Sequence, residues 1–128
     1  MISTTSTADL SGPRILAVDD DPLIADLMEI VFDIYNPDGS LTLAHDAEEA
    51  LELMAESEFD VLITDINLPG MSGIELIDRV RNEISTFPIV VHSGSRRDQI
   101  QSLDPDIKVV EKGRAGVKSL VAAVLAGV

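Results

Sequence analysis

A chain of 128 residues with 45% hydrophobic side chains is one domain's worth of material and can fill a core, which argues against general disorder. It has no cysteine, which excludes a disulfide framework and any thiolate metal site. Nine Lys and Arg against 23 Asp and Glu give 9 − 23 = −14, a balance that disfavours direct contact with nucleic acid and favours cations or basic protein surfaces as partners.

Residues 1–13 are rich in Ser and Thr, end in Ser-Gly-Pro and show no periodicity, so they read as a flexible leader ahead of one domain over 14–128. They also lack the basic start and apolar stretch of a secretory signal. No apolar run reaches the roughly 18 residues of a membrane span, so the expectation is a cytoplasmic chain with no membrane insertion.

Four short apolar runs at strand length follow, over 15–18, 61–63, 89–91 and 109–110, the last led in by Ile107. Each is continuous rather than alternating and rich in branched residues, the pattern of parallel strands covered on both faces. Residues 41–44 alternate, which suits an edge strand.

Between the runs the period becomes helical. Ile24, Leu27, Met28, Val31 and Tyr35 are expected on one buried face, as are Ala47, Ala50, Leu51 and Met54. Ile77, Val80 and Ile84 suggest a third helix. Val117, Leu120, Val121, Val124, Leu125 and Val128 make a further stripe. Asp21 before Pro22 reads as a cap followed by a first-turn proline, and Asp46 with Glu49 as a capping box. The stretch 95–106 is polar and short, fit for at most a weak helix. Strands alternating with helices predict an α/β, doubly wound parallel sheet with helices on both faces. Ligands of such folds sit beyond the carboxyl ends of the strands.

Asp19, Asp20 and Asp21 stand after the first run, Asp65 after the run 61–63 and Thr64, Ser93 and Gly94 after 89–91, and Lys112 after 109–110. Two carboxylates about 5 Å apart repel by roughly 0.8 kcal/mol in bulk water and by several times more where screening is poorer. A hard, oxygen-seeking divalent cation such as Mg²⁺ relieves that repulsion and leaves room for a phosphate oxygen. Lys112 can balance further negative charge, and Ser93 can donate a hydrogen bond. Asp65, fixed at a strand end before a loop with two glycines and a proline, is placed for in-line attack on phosphorus.

The segments Ile-Leu-Ala-Val-Asp19-Asp20-Asp21-Pro, Leu-Ile-Thr-Asp65-Ile-Asn-Leu-Pro-Gly-Met-Ser-Gly, Ile-Val-Val-His-Ser93-Gly94 and Val-Val-Glu-Lys112 together resemble, in order and spacing, the receiver domain of response regulators. The resemblance covers about residues 14–128. It implies a flavodoxin-like five-stranded sheet of order 2-1-3-4-5. It further implies Asp65 as phosphoacceptor, Asp19 and Asp20 as the acidic pair positioning Mg²⁺, and Asn67 as the residue whose backbone carbonyl completes the metal site. Ser93, with Gly94 beside it, matches the switch hydroxyl, and Lys112 the lysine that pairs with the phosphoryl group. Asp21 falls outside the acidic pair and stays a helix cap. The implied partners are a sensor histidine kinase or a histidine phosphotransfer protein as donor and a further protein as target. Because the chain ends after its last helix, a stand-alone switch that is not an enzyme is expected.

Two positions depart from the family pattern, as does the short, polar segment between Ser93 and Lys112, which implies a stunted fourth helix. Gly113 stands where proline usually follows the lysine, so a trans peptide is expected there. Val109 occupies the position of the switch aromatic, three residues before the lysine. These departures motivate an alternative, a binding module indifferent to phosphorylation. An aspartate-nucleophile phosphatase fits less well, because Asn67 stands where such enzymes carry a second Asp. His45 reads as a surface or loop residue and His92 as a packed or hydrogen-bonded one rather than a ligand.

Overall fold

The computed structural model describes residues 12–94, 101–113 and 116–126. Five strands, β1 (Arg14–Val18), β2 (Ser40–Ala44), β3 (Val61–Thr64), β4 (Ile89–Ser93) and β5 (Lys108–Glu111), form one parallel sheet in the order β2-β1-β3-β4-β5. Among the described residues four helices connect or follow them: α1 (Pro22–Tyr35), α2 (Ala47–Glu56), α3 (Gly73–Glu83) and α4 (Gly116–Ala126). The expected sheet order and layering are therefore present. The expected leader lies outside the described residues except for Gly12 and Pro13, as do residues 95–100 of the polar stretch and Val128.

The two faces of the sheet explain why the central runs carry no polar alternation. Leu16, Val18, Leu62, Ile89 and Val91 pack with Ala47, Ala50, Leu76, Ile77 and Val80 of α2 and α3. Ile15, Ala17, Val61, Ile63 and Val90 pack with Met28 and Phe32 of α1 and with Val117, Leu120, Val121 and Val124 of α4. With apolar neighbours on both sides, residues 15–18 of β1 and 61–63 of β3 gain from being hydrophobic. β2 is an edge strand, as its alternation suggests.

Several expectations are corrected. β5 is the other edge of the sheet, so Val109 is 37% exposed rather than covered on both faces. On α1 the buried residues are Met28 and Phe32, while Leu27 and Tyr35 face out. On α3 Leu76 is buried, and Ile84 is the exposed C-cap instead of a core residue. The capping box at α2 is only half formed. Asp46 accepts from the Glu49 N–H at 2.8 Å, but the Glu49 carboxylate accepts from the backbone N–H of His45 at 2.7 Å, one residue further back. A full capping box instead opens α3, between Ser72 and Glu75. The expected cap at α1 is present: Asp21 accepts from the Leu23 N–H at 2.9 Å and Pro22 opens the helix.

One partly buried guanidinium ties the far end of the sheet together. The Arg81 side chain on α3, 10% exposed, donates from Nε and Nη2 to the Phe87 carbonyl at 3.1 and 2.9 Å. It also reaches Asp104 at 3.2 Å and Asp106 at 2.9 and 2.8 Å, just ahead of β5. Removing the fork leaves the Phe87 carbonyl without this partner and unpins the approach to β5. Arg81→Met is expected to lower unfolding stability by about 2 kcal/mol. Urea denaturation reads this directly, and a loss below about 0.5 kcal/mol would show the fork to be incidental.

Candidate functional site

Strand register brings the chemistry together before any side chain is considered. Val18 is paired with both Ala44 and Thr64, so the next residues of β1 and β3, Asp19 and Asp65, leave the sheet side by side. The Asp19 N–H donates to the Ala44 carbonyl at 3.1 Å and the Asp65 N–H to the Val18 carbonyl at 3.3 Å, extending the ladder by one step. Ser93 is level with Glu111, and the Lys112 N–H donates to the Ser93 carbonyl at 3.1 Å, which sets Lys112 beside the end of β4. All four strand ends lie on the carboxyl edge of the sheet.

The side chains of Asp19, Asp20 and Asp65 each offer an oxygen within 4.8 Å of the others. Asp19 and Asp65 are buried and Asp20 is exposed, so the cluster opens to solvent on one side. Lys112 bridges the two buried carboxylates, with Nζ at 2.6 Å from Asp65 Oδ2 and 3.0 Å from Asp19 Oδ2. Burial works against its charge, but the bonds to Asp65 and Asp19 outweigh that and hold its pKa above the ordinary lysine value. The remaining carboxylate oxygens are oriented by backbone. Asp65 Oδ1 accepts from the N–H of Ile66 at 2.7 Å and of Asn67 at 3.4 Å, and Asp19 Oδ1 from the N–H of Asp21 at 2.9 Å.

The loop after Asp65 is held by a close approach that the sequence does not announce. Gly73 donates its N–H to the Ile66 carbonyl at 2.8 Å, and a Cβ at position 73 would lie 1.9 Å from the Asp65 carbonyl oxygen. The Thr64 hydroxyl donates to that same oxygen at 2.8 Å. The start of α3 is thus pressed onto the backbone of the residue at the centre of the site.

Of the residues singled out from sequence, Asp19, Asp20, Asp65 and Lys112 share this centre. Asn67 is exposed and adjoins it through its backbone. Ser93 is buried at the end of β4, and Gly94 is exposed, with no described residue within 4 Å of where its Cβ would lie. No cis peptide occurs among the described residues, and Gly113 sits at φ +94°, a left-handed conformation that suits glycine. His45 is a surface residue paired to Glu49 at 3.1 Å.

His92 is the residue whose surroundings the sequence gives least hint of. It is 2% exposed, one residue before Ser93, and neither ring nitrogen has a hydrogen-bond partner among the described residues. Burial, helped by the charge of Lys112, pushes its pKa below the ordinary value, against the opposite pull of Asp19 and Asp65. Below about pH 6.5 the unfolded chain takes up a proton that the folded core resists, so this residue lowers stability as pH falls and has no such effect above. His92→Leu is expected to raise stability by about 1–2 kcal/mol at neutral pH by removing orphaned polar atoms. The gap to wild type is expected to widen below pH 6.5 in denaturant titrations. A gap that stayed constant or narrowed would contradict this reading.

The response regulator receiver domain family model matches residues 15–117. The chain is 40% identical over 81 residues to the regulatory protein VanR of Enterococcus faecium, covering 63% of this chain and 34% of VanR. It is 33% identical over 123 residues to the response regulator protein PilR of Pseudomonas aeruginosa, covering 91% of this chain and 27% of PilR. The chain therefore spans about a third or less of the length of these curated relatives. Among solved structures it resembles the response regulator TrrA of Thermotoga maritima, determined in complex with Mg²⁺-BeF, at 26% identity and a TM-score of 0.73, covering 91% of this chain and 99% of that one. With that match across most of its length, this sheet order and an acidic pocket at the carboxyl ends of the strands, the chain belongs to the response regulator receiver domain family of two-component signalling.

Proposed function

We propose that the chain is a phosphoacceptor switch that takes a phosphoryl group from a phosphohistidine of a sensor kinase or phosphotransfer protein onto Asp65, and signals by altered binding to another protein. The observation that carries this reading is the Lys112 ammonium at 2.6 Å from one oxygen of an Asp65 carboxylate whose other oxygen is held by backbone N–H groups. A carboxylate fixed at both oxygens loses little orientational freedom when it reacts.

Asp65 attacks phosphorus; the new bond joins its carboxylate oxygen to phosphorus as the phosphorus–nitrogen bond of the donor breaks. The electron pair leaves with the imidazole nitrogen, which then takes up a proton. Lys112 stays as the cation that faces the transferred group, and the register of β4 with β5 keeps Ser93 beside it. The three carboxylates offer only hard oxygen donors at the spacing of one ion, which fits Mg²⁺ with Asp19, Asp20, Asp65 and the Asn67 carbonyl around it. When bound, Mg²⁺ supplies charge neutralisation for the carboxylates and the incoming phosphoryl oxygens. The domain is read as 14–128, cytoplasmic, and not an enzyme beyond assisting its own phosphorylation and dephosphorylation.

The metal assignment is tested through the exposed member of the cluster. Asp20→Ala is expected to raise the Mg²⁺ concentration for half-maximal phosphorylation by acetyl phosphate at least tenfold, and a chelator is expected to stop the reaction. Unchanged Mg²⁺ dependence in the variant would remove Asp20 from the metal site.

A second reading, binding without phosphorylation, draws on Val109. With a small aliphatic residue exposed on an edge strand, there is no ring at that position to turn inward when the site is loaded. Equal affinity for a target with and without phosphodonor would favour it.

A further inference from the structure

No Lys or Arg occurs between Arg14 and Arg79, while residues 15–78 hold 17 Asp and Glu. That segment carries −17, and the remainder of the chain 9 − 6 = +3. Within this acidic half, α1 turns four large apolar side chains to solvent: Leu23 (65% exposed), Leu27 (40%), Ile30 (58%) and Ile34 (65%). Their steps of four, three and four residues are those of a coiled-coil seam, and they follow one line along the helix. A line of four is more than the scattered exposed apolar residue that needs no explanation.

The far half of the seam borders a groove of ≈ 560 Å³ between the end of α1 and the start of β2. Ile30, Ile34, Pro37 and Leu41 line it, with the carboxylates of Glu29 and Asp33 beside them. This groove is remote from Asp65. α1 begins at the cap beside the acidic cluster and runs 14 residues, roughly 21 Å at ~1.5 Å per residue, toward the amino end of the sheet.

Charge decides what can occupy it. Two copies of the chain packed seam to seam would set Asp26, Glu29 and Asp33 of one against the same exposed residues of the other, and like charges brought together cost several kcal/mol. A helix with a matching apolar stripe flanked by Lys or Arg meets the opposite condition. We propose that the groove at the end of α1 is a docking site for such a basic amphipathic helix, engaged whether or not Asp65 is phosphorylated. The site would hold a target in place while the opposite edge of the sheet reports the phosphoryl group.

The test is a methyl-resolved NMR titration of the full chain with a synthetic helical peptide bearing leucines at steps of three and four flanked by lysines. Two control peptides carry Glu for Lys, or Ser for Leu. Shift changes centred on Ile30, Ile34 and Leu41 are expected, with affinity falling as salt is raised. Both controls and the surface variant Ile34→Asp are expected to bind at least tenfold more weakly, and wild type supplied with Mg²⁺ and acetyl phosphate within twofold of wild type without them. Four results would overturn the proposal: shifts scattered over the acidic surface, an unaffected Ile34→Asp, equal binding of the Ser peptide, or a self-association of the free chain that Ile34→Asp abolishes. Because the peptide is titrated into the chain without phosphodonor as well as with it, failure here is separable from failure of the phosphoacceptor reading.

Discussion

Alanine in place of Gly73 is expected to remove about 3 kcal/mol of stability or more, the largest loss for any single added methyl group in this site. The new Cβ would lie 1.9 Å from the Asp65 carbonyl oxygen and 2.8 Å from both its carbonyl carbon and the Ile66 Cα. All three are backbone atoms, so no side chain can swing aside, and either α3 or the end of β3 has to move. Moving α3 breaks the Gly73 N–H bond to Ile66 and displaces Leu76 and Ile77 from the core; moving β3 displaces Asp65 itself. Chemical denaturation of Gly73→Ala beside Gly94→Ala tests this, because a Cβ at position 94 meets none of the described residues within 4 Å and is expected to change stability by less than about 0.5 kcal/mol. Similar small losses in both variants would show the contact at Gly73 to be soft.

Asp65→Asn is expected to reduce phosphoryl uptake from acetyl phosphate by at least about a hundredfold, while leaving the chain folded. The amide keeps a carbonyl oxygen to accept from the Ile66 N–H, and Asp19 still pairs with Lys112 at 3.0 Å. Removing one charge also relieves repulsion within the cluster, which at 4.8 Å amounts to roughly 0.9 kcal/mol per pair in bulk water and more where screening is poorer. That relief offsets part of the lost bond to Lys112, so stability is expected to stay within about 1 kcal/mol of wild type. Retained uptake in a folded variant would mean that another residue accepts the group.

The parts of this fold that can be read from sequence are those where one residue's environment has one cause. β1 and β3 are buried on both faces, so continuous apolar runs mark them, and polar residues at their ends stand out as exits from the sheet. β5 shows only two valines between Lys108 and Glu111 and has one neighbouring strand, and two valines alone do not distinguish an edge from a centre. α1 is apolar around most of its circumference, so periodicity alone could not tell that Phe32 faces the sheet and Leu27 and Tyr35 face water. The site shows the same division. Asp19, Asp20, Asp65 and Lys112 are legible because each directly follows or nearly follows a strand. The fit of Gly73 against Asp65 and the orphaned ring of His92 depend on tertiary distances that no local pattern encodes.

The most direct measurement is the position of the phosphoryl group itself. Wild-type protein treated with acetyl phosphate and Mg²⁺, then reduced with borohydride to convert an acyl phosphate into an alcohol, can be digested and its peptides weighed. Strand ends that converge on one phosphoacceptor require a single modified residue per chain, at position 65. Modification at another aspartate, or an unmodified chain that nonetheless binds Mg²⁺, would contradict the assignment.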